Sequence, residues 1–202
     1  ACLAEAGHQV EVLNWHAEGR DLRAAEAALA ELAPDLIGFT VLQANRCAAL
    51  DLARRAKAVL PKVRTVLGGV AATFLWKLFL DHYPDVDFVI RGEGEMAMLA
   101  LAERLESGSE DFSDLPGLAW RDRGAARANP CAPPLADLDS LPNPARRFTY
   151  QHLALTRGCP GKCNFCGSPR FWGPKVRFHS PEYFVDQMEL LHAKGVNHFY
   201  VS

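Results

Sequence analysis

The sequence has little excess charge of either sign and no apolar run long enough to cross a membrane. Its 22 Lys and Arg residues against 24 Asp and Glu residues leave a net charge of −2. It therefore has neither the basic surplus typical of nucleic-acid binding nor an acidic tail. No secretory signal or run of ~20 apolar residues is present. We therefore expect a cytoplasmic protein with no membrane span and no nucleic-acid partner.

Evidence for disulfide pairing is also lacking. The chain has six cysteines, and no secretory signal places them in an oxidising compartment. Cys2, Cys47 and Cys131 are scattered, and we expect them to be inert small hydrophobic residues. The other three fall within eight residues, a clustering that favours metal binding over cross-linking.

Neither end of the sequence completes a structural element. Residue 1 is Ala, and residues 1–6 predict the tail of a helix that Gly7 terminates. Ser202 follows directly on a strand-like run at residues 198–201. We therefore expect a fragment of a longer protein, without the first strand of its first domain, and we do not expect it to be active alone.

Strand-like runs alternate with amphipathic helices through the first half of the chain. The runs cover residues 9–13, 35–41, 63–67 and 86–90. Apolar residues recur at helical spacing around residues 22–32, 49–60, 72–80 and 98–105. This alternation predicts an α/β fold with a doubly wound parallel sheet of the Rossmann-like type over residues 1–106.

The rest of the sequence divides into a linker and a second domain. Residues 107–149 are rich in Gly, Pro and Asp and predict a linker with a small hairpin, at residues 117–120 and 126–129. Residues 150–202 predict a strand at 152–156, a cysteine loop, a helix and a final strand. Ser180 and Pro181 suit the N-cap and first position of that helix.

The cysteine loop has the spacing C-x3-C-x2-C, formed by Cys159, Cys163 and Cys166. Thiolates are the natural ligands of iron–sulfur clusters. Three ligands leave one iron of a four-iron cluster open to chemistry, as an open position does on catalytic zinc. Nearby residues supply a tight, stiff backbone, namely Gly158, Pro160, Gly161 and Gly167.

Two other kinds of metal site are alternatives for this loop. A zinc site would need a fourth ligand, which His152 or His179 could supply, but zinc ligands usually come as two pairs. An electron-transfer ferredoxin would need a fourth cysteine in the run. Three cysteines that stand without a fourth ligand favour an iron–sulfur cluster with one open iron.

The loop resembles that of the radical S-adenosylmethionine (SAM) superfamily, through C-x3-C-x-Φ-C with Phe165 as the aromatic residue, preceded by residues 156–158. The resemblance implies a (βα) partial TIM barrel, of which residues 150–202 are the start. It also implies a [4Fe–4S] cluster on the three cysteines that binds S-adenosylmethionine and cleaves it reductively to a 5′-deoxyadenosyl radical. Phe165 would lie near the adenine; the alternative is that it packs in the core. A reductase such as flavodoxin or ferredoxin and a small-molecule substrate are implied partners.

The carboxyl ends of the predicted parallel strands carry a second candidate site. Ligands of open α/β sheets bind outside these ends, and glycines there let a ligand approach the backbone. The residues in question are Thr40 and Leu42 after the second run, Gly68 and Gly69 after the third, and Gly92, Glu93, Gly94 and Glu95 after the fourth. The alternative is that the glycines form ordinary tight turns.

Together with the cluster loop, this pattern resembles the cobalamin-binding domain joined to many radical SAM enzymes. The resemblance rests on residues 34–40, 67–69, 89–95 and 139–142. It implies that Thr40 and Leu42 line the dimethylbenzimidazole pocket and that Gly68 and Gly69 border the nucleotide tail. Gly92 to Glu95 would then sit at the corrin edge.

A histidine ligand to cobalt is not expected. Such domains use D-x-H-x-x-G after their first strand, and residues 14–19 have Asn in place of the Asp. His16 also follows what we take as the second strand, so we interpret it as a surface residue. The other histidines form no ligand spacing.

The resemblance implies an enzyme that most commonly transfers a methyl group to an unactivated centre through cobalamin. The alternatives within the class are a radical cyclase or rearrangement enzyme and a methylthiotransferase. The last would use scattered cysteines for a second cluster, which Cys2 in a helix and Cys131 in the linker do not favour. Outside the class, a non-catalytic, zinc-stabilised binding module and a radical enzyme without cobalamin remain alternatives.

Overall fold

The computed structural model describes residues 1–14 and 22–202, so the prediction for His16 lies outside the described residues. The described chain forms two compact units, one of residues 13–132 and the other of residues 1–12 with 133–202. None of the helices in these described ranges is both long and apolar enough to span a bilayer.

The helices are α1 (Cys2–Glu5), α2 (Leu22–Leu32), α3 (Arg46–Val59), α4 (Val70–His82), α5 (Glu95–Glu106), α6 (Ser168–Trp172) and α7 (Pro181–Ala193), with one 3-10 turn at Pro144–Arg146. The strands are β1 (Leu36–Thr40), β2 (Arg64–Gly68), β3 (Phe88–Ile90), β4 (Leu118–Asp122), β5 (Ala125–Ala128), β6 (His152–Leu153), β7 (Thr156–Arg157), β8 (Arg177–Phe178) and β9 (Tyr200–Val201).

A five-stranded sheet in the order β1-β2-β3-β4-β5 organises the first unit. Strands β1, β2 and β3 are parallel, as the sequence predicts, whereas β4 pairs antiparallel with β3 and β5 antiparallel with β4. The sheet is therefore mixed rather than purely parallel. The turn at Arg123 and Gly124, which both have positive φ, reverses the chain within two residues and makes β5 antiparallel to β4.

The strand predicted at residues 9–13 is wrong. These residues have no regular secondary structure, and Val12 is 62% exposed. A strand is held by hydrogen bonds to a neighbouring strand, and in the described part of the chain this segment pairs with none. An apolar alternation alone therefore does not make it a strand.

Alternating side chains of the sheet pack into two hydrophobic cores, one on each face. Leu67 and Val89 point to one face, where they pack with Phe79 and Leu80 of α4. Val66, Phe88, Ile90 and Leu118 point to the other face, where they pack with Leu101 of α5. Both faces of the sheet are thus covered by helices, which confirms the doubly wound α/β class.

The amino-terminal edge of this sheet is held by a polar network. Lys57 of α3 forms a 2.6 Å ion pair with Asp87, directly before β3. The Asp87 carboxylate also accepts a 2.8 Å hydrogen bond from the Thr65 amide. The Thr65 hydroxyl donates to the Asp85 carbonyl at 2.5 Å and accepts from the Asp87 amide at 3.1 Å. Side chains therefore tie α3, β2 and β3 together at this end.

The second unit contains a parallel β6-α7-β9 arrangement over a small core of Ala145, Leu153, Leu191 and Val196. Helix α7 begins where predicted, because the Ser180 hydroxyl accepts a 3.1 Å hydrogen bond from the Tyr183 amide. The single strand predicted at residues 152–156 is instead two strands. Their partners differ, since β6 pairs with β9 and β7 pairs antiparallel with β8. The described residues form no closed barrel.

Candidate functional site: a cysteine loop and a glycine-lined sheet edge

The cysteine loop leaves β7 through Gly158, at a position that only glycine can occupy. Gly158 has φ +108°, and a Cβ there would collide with the carbonyl oxygen of Lys175. The next residue, Cys159, donates its amide to the Gly173 carbonyl at 3.1 Å. The start of the loop is therefore anchored against the segment between α6 and β8.

Gly161 places two of the three sulfurs near each other. A Cβ at Gly161 would lie 3.3 Å from Sγ of Cys159 and 3.8 Å from Sγ of Cys163. The amide of Cys166 donates to the Cys163 carbonyl at 3.2 Å, which forms a turn between the second and third cysteines. Each of the three thiols is at least partly exposed and none is in a disulfide. The loop thus offers the thiolate donor set and the side-chain-free space that an iron–sulfur cluster needs.

The third cysteine has an electrostatic preference for the thiolate. Hydrogen bonds from Ser168, first from its side chain and then from its backbone, hold the pKa of Cys166 below its ordinary value against a small opposing effect of burial. A thiolate, not a thiol, is the ligand form. Ser168, the first residue of α6, therefore favours the thiolate form of Cys166, which is the form that binds a metal.

The histidines considered as zinc ligands are engaged elsewhere. His179 is 9% exposed, stacks on Tyr183 at 4.3 Å and bonds Asp139 through Nδ1 at 2.8 Å. His152 stacks on Tyr200 of β9 at 4.8 Å. Across residues 1–14 and 22–202, no three His, Cys, Asp or Glu side chains surround the position of a single metal ion.

The aromatic residue of the motif is not a core residue. Phe165 is 93% exposed, so the core-packing alternative is wrong. Trp172 behaves differently: it packs edge-on against Phe171 at 4.5 Å, and the guanidinium of Arg157 lies 5.3 Å from its ring. Trp172 therefore packs the loop, whereas Phe165 presents a free apolar face.

The loop after β1 is shaped by a residue that the sequence analysis missed. The side chain of Asn45 donates to the Thr40 carbonyl at 2.9 Å and accepts from the Leu42 amide at 2.7 Å. Both predicted contact residues are exposed, with Leu42 at 50%. The available signal was an Asn directly before a helix, which is a typical N-cap position.

Glycine occupies the last position of β2 and the position after it for different reasons. Gly69 has φ +90°, and a Cβ there would lie only 3.1 Å from the Val41 carbonyl oxygen, so the fold itself requires glycine. Gly68 has an ordinary φ, and a Cβ there would meet no described atom within 4 Å. Nothing in the described chain therefore requires glycine at position 68.

The loop after β3 is linked to α4 by a second missed residue. The Gly92 amide donates to the Thr73 hydroxyl at 2.9 Å, and Gly92 itself has φ +78° with open space around it. Gly94 precedes α5, and Glu95 lies in its first turn. The apolar periodicity of α4 does not indicate a role for Thr73, because its hydrogen-bond partner, the Gly92 amide, lies in a loop distant in sequence.

Arg91 and Cys131 form a contact at the end of β3. The Arg91 guanidinium lies 5.3 Å from the Trp76 ring and donates to the Cys131 sulfur at 3.2 Å. Cys131 and Cys47 are both exposed. Neither cysteine therefore packs in a hydrophobic core, and the prediction that both are inert small hydrophobic residues stays a prediction.

Comparison with protein families matches both parts of the chain. Residues 1–102 match the B12 binding domain, and residues 153–202 match the radical SAM superfamily. The first match covers half of the chain. The two matched ranges contain the glycine-lined edge and the cysteine loop respectively.

Relatives with a curated description resemble the whole chain. An uncharacterized methyltransferase from Pyrococcus horikoshii is 28% identical over 95% of this chain and 44% of its own length. The anaerobic magnesium-protoporphyrin IX monomethyl ester cyclase of Cereibacter sphaeroides is 31% identical over 86% of this chain and 31% of its own length. The chain thus spans less than half the length of these relatives.

A solved structure shares the fold. The radical S-adenosylmethionine methyltransferase TsrM from Kitasatospora setae, with cobalamin and a [4Fe–4S] cluster bound, superposes with a TM-score of 0.81 at 18% identity. All of this chain and 43% of that chain are covered. With both family matches in sequence order along one α/β chain, this chain belongs to the cobalamin-binding radical SAM family.

Proposed function

We propose that this chain carries the cobalamin site and the cluster site of a radical SAM enzyme that transfers a methyl group to an unactivated centre. Its functional domains would be residues 1–106 for cobalamin, residues 107–149 as linker and residues 150–202 as the start of the radical SAM barrel. The proposal is supported by family membership and by two sites whose residues fit these cofactors.

The proposal of a cobalamin site rests on the surroundings of Gly68. Its backbone conformation accepts any residue, and the space before it is open within the described chain. A glycine that the fold does not need is expected where a ligand approaches the backbone. Gly68, with Gly69, would border the nucleotide tail, while Thr40 and Leu42 line the base pocket and residues 92–95 contact the corrin edge.

The three cysteines would hold a [4Fe–4S] cluster. Gly161 leaves room between Cys159 and Cys163, and Ser168 favours the Cys166 thiolate. When bound, the cluster supplies an electron for reductive cleavage of S-adenosylmethionine. Phe165 would offer its exposed ring to the adenine, since an apolar planar face suits stacking.

The cluster part is tested by anaerobic reconstitution of the full-length protein, since this chain is not expected to be active alone. We expect iron, sulfide and cluster absorbance, with release of 5′-deoxyadenosine from S-adenosylmethionine under reducing conditions. Cys163→Ala should abolish both. Cys47→Ala, which removes an exposed cysteine outside the loop, should abolish neither. Zinc in place of iron, or cleavage that survives Cys163→Ala, would contradict the proposal.

A second reaction is favoured by a specific observation, because one relative at 31% identity is a cyclase. The two reactions differ in what becomes of S-adenosylmethionine. Methyl transfer from it releases S-adenosylhomocysteine, whereas cyclisation initiated by the radical releases only 5′-deoxyadenosine. Incubating the cobalamin-loaded, reduced protein with S-adenosylmethionine and analysing both products separates them; absence of S-adenosylhomocysteine would favour the cyclase.

We also propose that the electron donor is an acidic protein such as flavodoxin or ferredoxin. From residue 140 to residue 181 the sequence holds seven Lys or Arg residues and no Asp or Glu, in a chain whose net charge is −2. Lys162, Arg170 and Lys175 are exposed on or directly after the cysteine loop. Complementary charge of this kind steers association with an acidic partner.

A further inference from the structure

Thr73 makes two hydrogen bonds that join the loops after β2 and β3. Thr73 lies in the first turn of α4, and its hydroxyl donates to the Gly69 carbonyl at 3.0 Å. The same oxygen accepts the Gly92 amide at 2.9 Å. The first bond is local to the helix, whereas the second connects residues that are 19 positions apart in sequence.

The glycines of the joined loops have no side chains that could hold the loops in place. Gly69 and Gly92 both have positive φ, at +90° and +78°, and glycine is the residue with the greatest backbone freedom. A side chain from a helix is a fixed point by comparison, because α4 is packed into the core through Phe79 and Leu80. The Gly69 carbonyl also accepts a backbone hydrogen bond from the Thr73 amide at 2.9 Å, so the Thr73 hydroxyl adds the link from this fixed end of α4 to the Gly92 loop.

We infer that Thr73 is a positioning residue for the corrinoid: it holds the two loops at the spacing in which both contact the same cofactor. This inference rests on the proposed cobalamin site at the carboxyl edge. Gly68 and Gly92 present open space to a ligand, but neither has a side chain with which to hold its loop. With the loops already in place, binding does not have to order them.

The same sheet supplies a matched control at its opposite edge. Thr65 also uses its hydroxyl twice, as a donor to the Asp85 carbonyl and as an acceptor for the Asp87 amide. It is fully buried and so contributes to stability at least as much as Thr73. Replacing either Thr by Val removes a donor and an acceptor hydroxyl bond, at the ligand edge in one variant and at the amino-terminal edge in the other. The Thr65 hydroxyl in addition lies 3.1 Å from a carboxylate oxygen of Asp87.

The experiment measures the affinity of the purified protein for hydroxocobalamin, by corrin absorbance, and its unfolding midpoint without cobalamin. We expect Thr73→Val to weaken binding roughly five- to tenfold, the value of one or two net hydrogen bonds. Thr73→Ser, which keeps the hydroxyl, should restore binding. Thr65→Val should lower the unfolding midpoint and leave the affinity unchanged. Thr73→Ala, which has a smaller side chain and a higher helix propensity, replaces Thr73→Val should the latter not fold.

Each result decides the inference. Weaker binding by Thr73→Val with recovery in Thr73→Ser supports it. Wild-type affinity in Thr73→Val overturns it, as does a loss of affinity in Thr65→Val that matches the loss in Thr73→Val, because both effects would then reflect stability alone. Failure of the wild-type protein itself to bind the corrinoid overturns the proposed cobalamin function, and a Thr73 effect cannot then exist.

Discussion

The imidazole Nδ1 of His179 lies 2.8 Å from a carboxylate oxygen of Asp139, 40 residues earlier in the chain. The Ser180 amide, at the start of α7, lies 3.1 Å from the other oxygen of the same carboxylate. Asp139 therefore anchors the end of the linker to the amino terminus of a helix, where a negative charge is favourable.

Replacing Asp139 with Asn should remove a pH-dependent part of the stability. Burial acts to raise the pKa of Asp139, but hydrogen bonds from Ser180 and His179 outweigh it and leave the pKa below its ordinary value. The stabilisation is therefore present above the unfolded-state pKa of about 4 and is lost as the pH falls through the folded-state value. At pH 7 we expect Asp139→Asn to lower the free energy of unfolding by about 0.5–2 kcal/mol.

Unfolding of the cofactor-free protein, followed at a series of pH values, checks this prediction. The wild-type and Asp139→Asn curves should separate above pH ~4 and converge below it. Glu189→Gln, an exposed change in the middle of α7, serves as the control and should show neither effect. A constant difference between the two proteins at all pH values would contradict the assignment.

Gly158→Ala should disrupt the cysteine loop. The added methyl group would collide with the Lys175 carbonyl, and a residue with a side chain is strained at φ +108°. We expect a large loss of iron and sulfide after reconstitution. Gly108→Ala separates strain from collision, because Gly108 also has positive φ but has open space around it. That variant should be slightly less stable and retain its full iron content.

Gly68→Ala should change stability and cofactor binding in opposite directions. Alanine fits the ordinary backbone conformation and the open space at position 68, and it reduces the entropy of the unfolded chain, which stabilises by about 0.4–1 kcal/mol. A methyl group there would however obstruct a cofactor lying against the backbone. We therefore expect a higher unfolding midpoint of the cofactor-free protein and a weaker affinity for hydroxocobalamin.

Gly69→Ala is the matched comparison for that experiment. Its Cβ would lie 3.1 Å from the Val41 carbonyl oxygen at φ +90°, so the variant should be less stable even without cofactor. If Gly68→Ala binds hydroxocobalamin as tightly as the wild type, the nucleotide tail does not lie against residue 68.

Reversing charges beside the cysteine loop should slow the reduction of the cluster by a protein donor but not by a small-molecule reductant. We expect Arg170→Glu with Lys175→Glu to reduce the rate of electron transfer from flavodoxin or ferredoxin about tenfold or more at low ionic strength, with a smaller effect at high salt. Reduction by dithionite should continue at nearly the wild-type rate. Lys62→Glu, an exposed change in the turn between α3 and β2, should have no effect. Equal rates for all variants with the protein donor would place its docking surface elsewhere.

Local patterns predicted most elements, because helical periodicity and capping act over a few residues. The helices around residues 49–60, 72–80 and 98–105 are observed as α3, α4 and α5, and Ser180 caps α7. The pairing of β4 with β3 and the split of residues 152–156 depend on partners distant in sequence. No local pattern marks such a partner.

The same distinction applies to the candidate site. The spacing of the three cysteines and the paired glycines are visible in the sequence. Asn45 is marked only by its position directly before a helix, and Thr73 is not marked by any motif. Thr73 matters only because the topology brings the Gly92 amide to its hydroxyl. The roles of the cobalamin-contact residues and of Phe165 stay predictions until the experiments above are made.

The polar network at the amino-terminal end of the sheet has an evolutionary consequence. Lys57, Thr65 and Asp87 secure the fold at one end, so the loop positions at the other end that do not pack in the core can diverge at a smaller cost in stability. Selection for a new substrate or a different corrinoid can therefore act on residues 40, 42, 68 and 92–95 in descendants that keep the same scaffold, whereas Val41 and Gly69 are held by the fold.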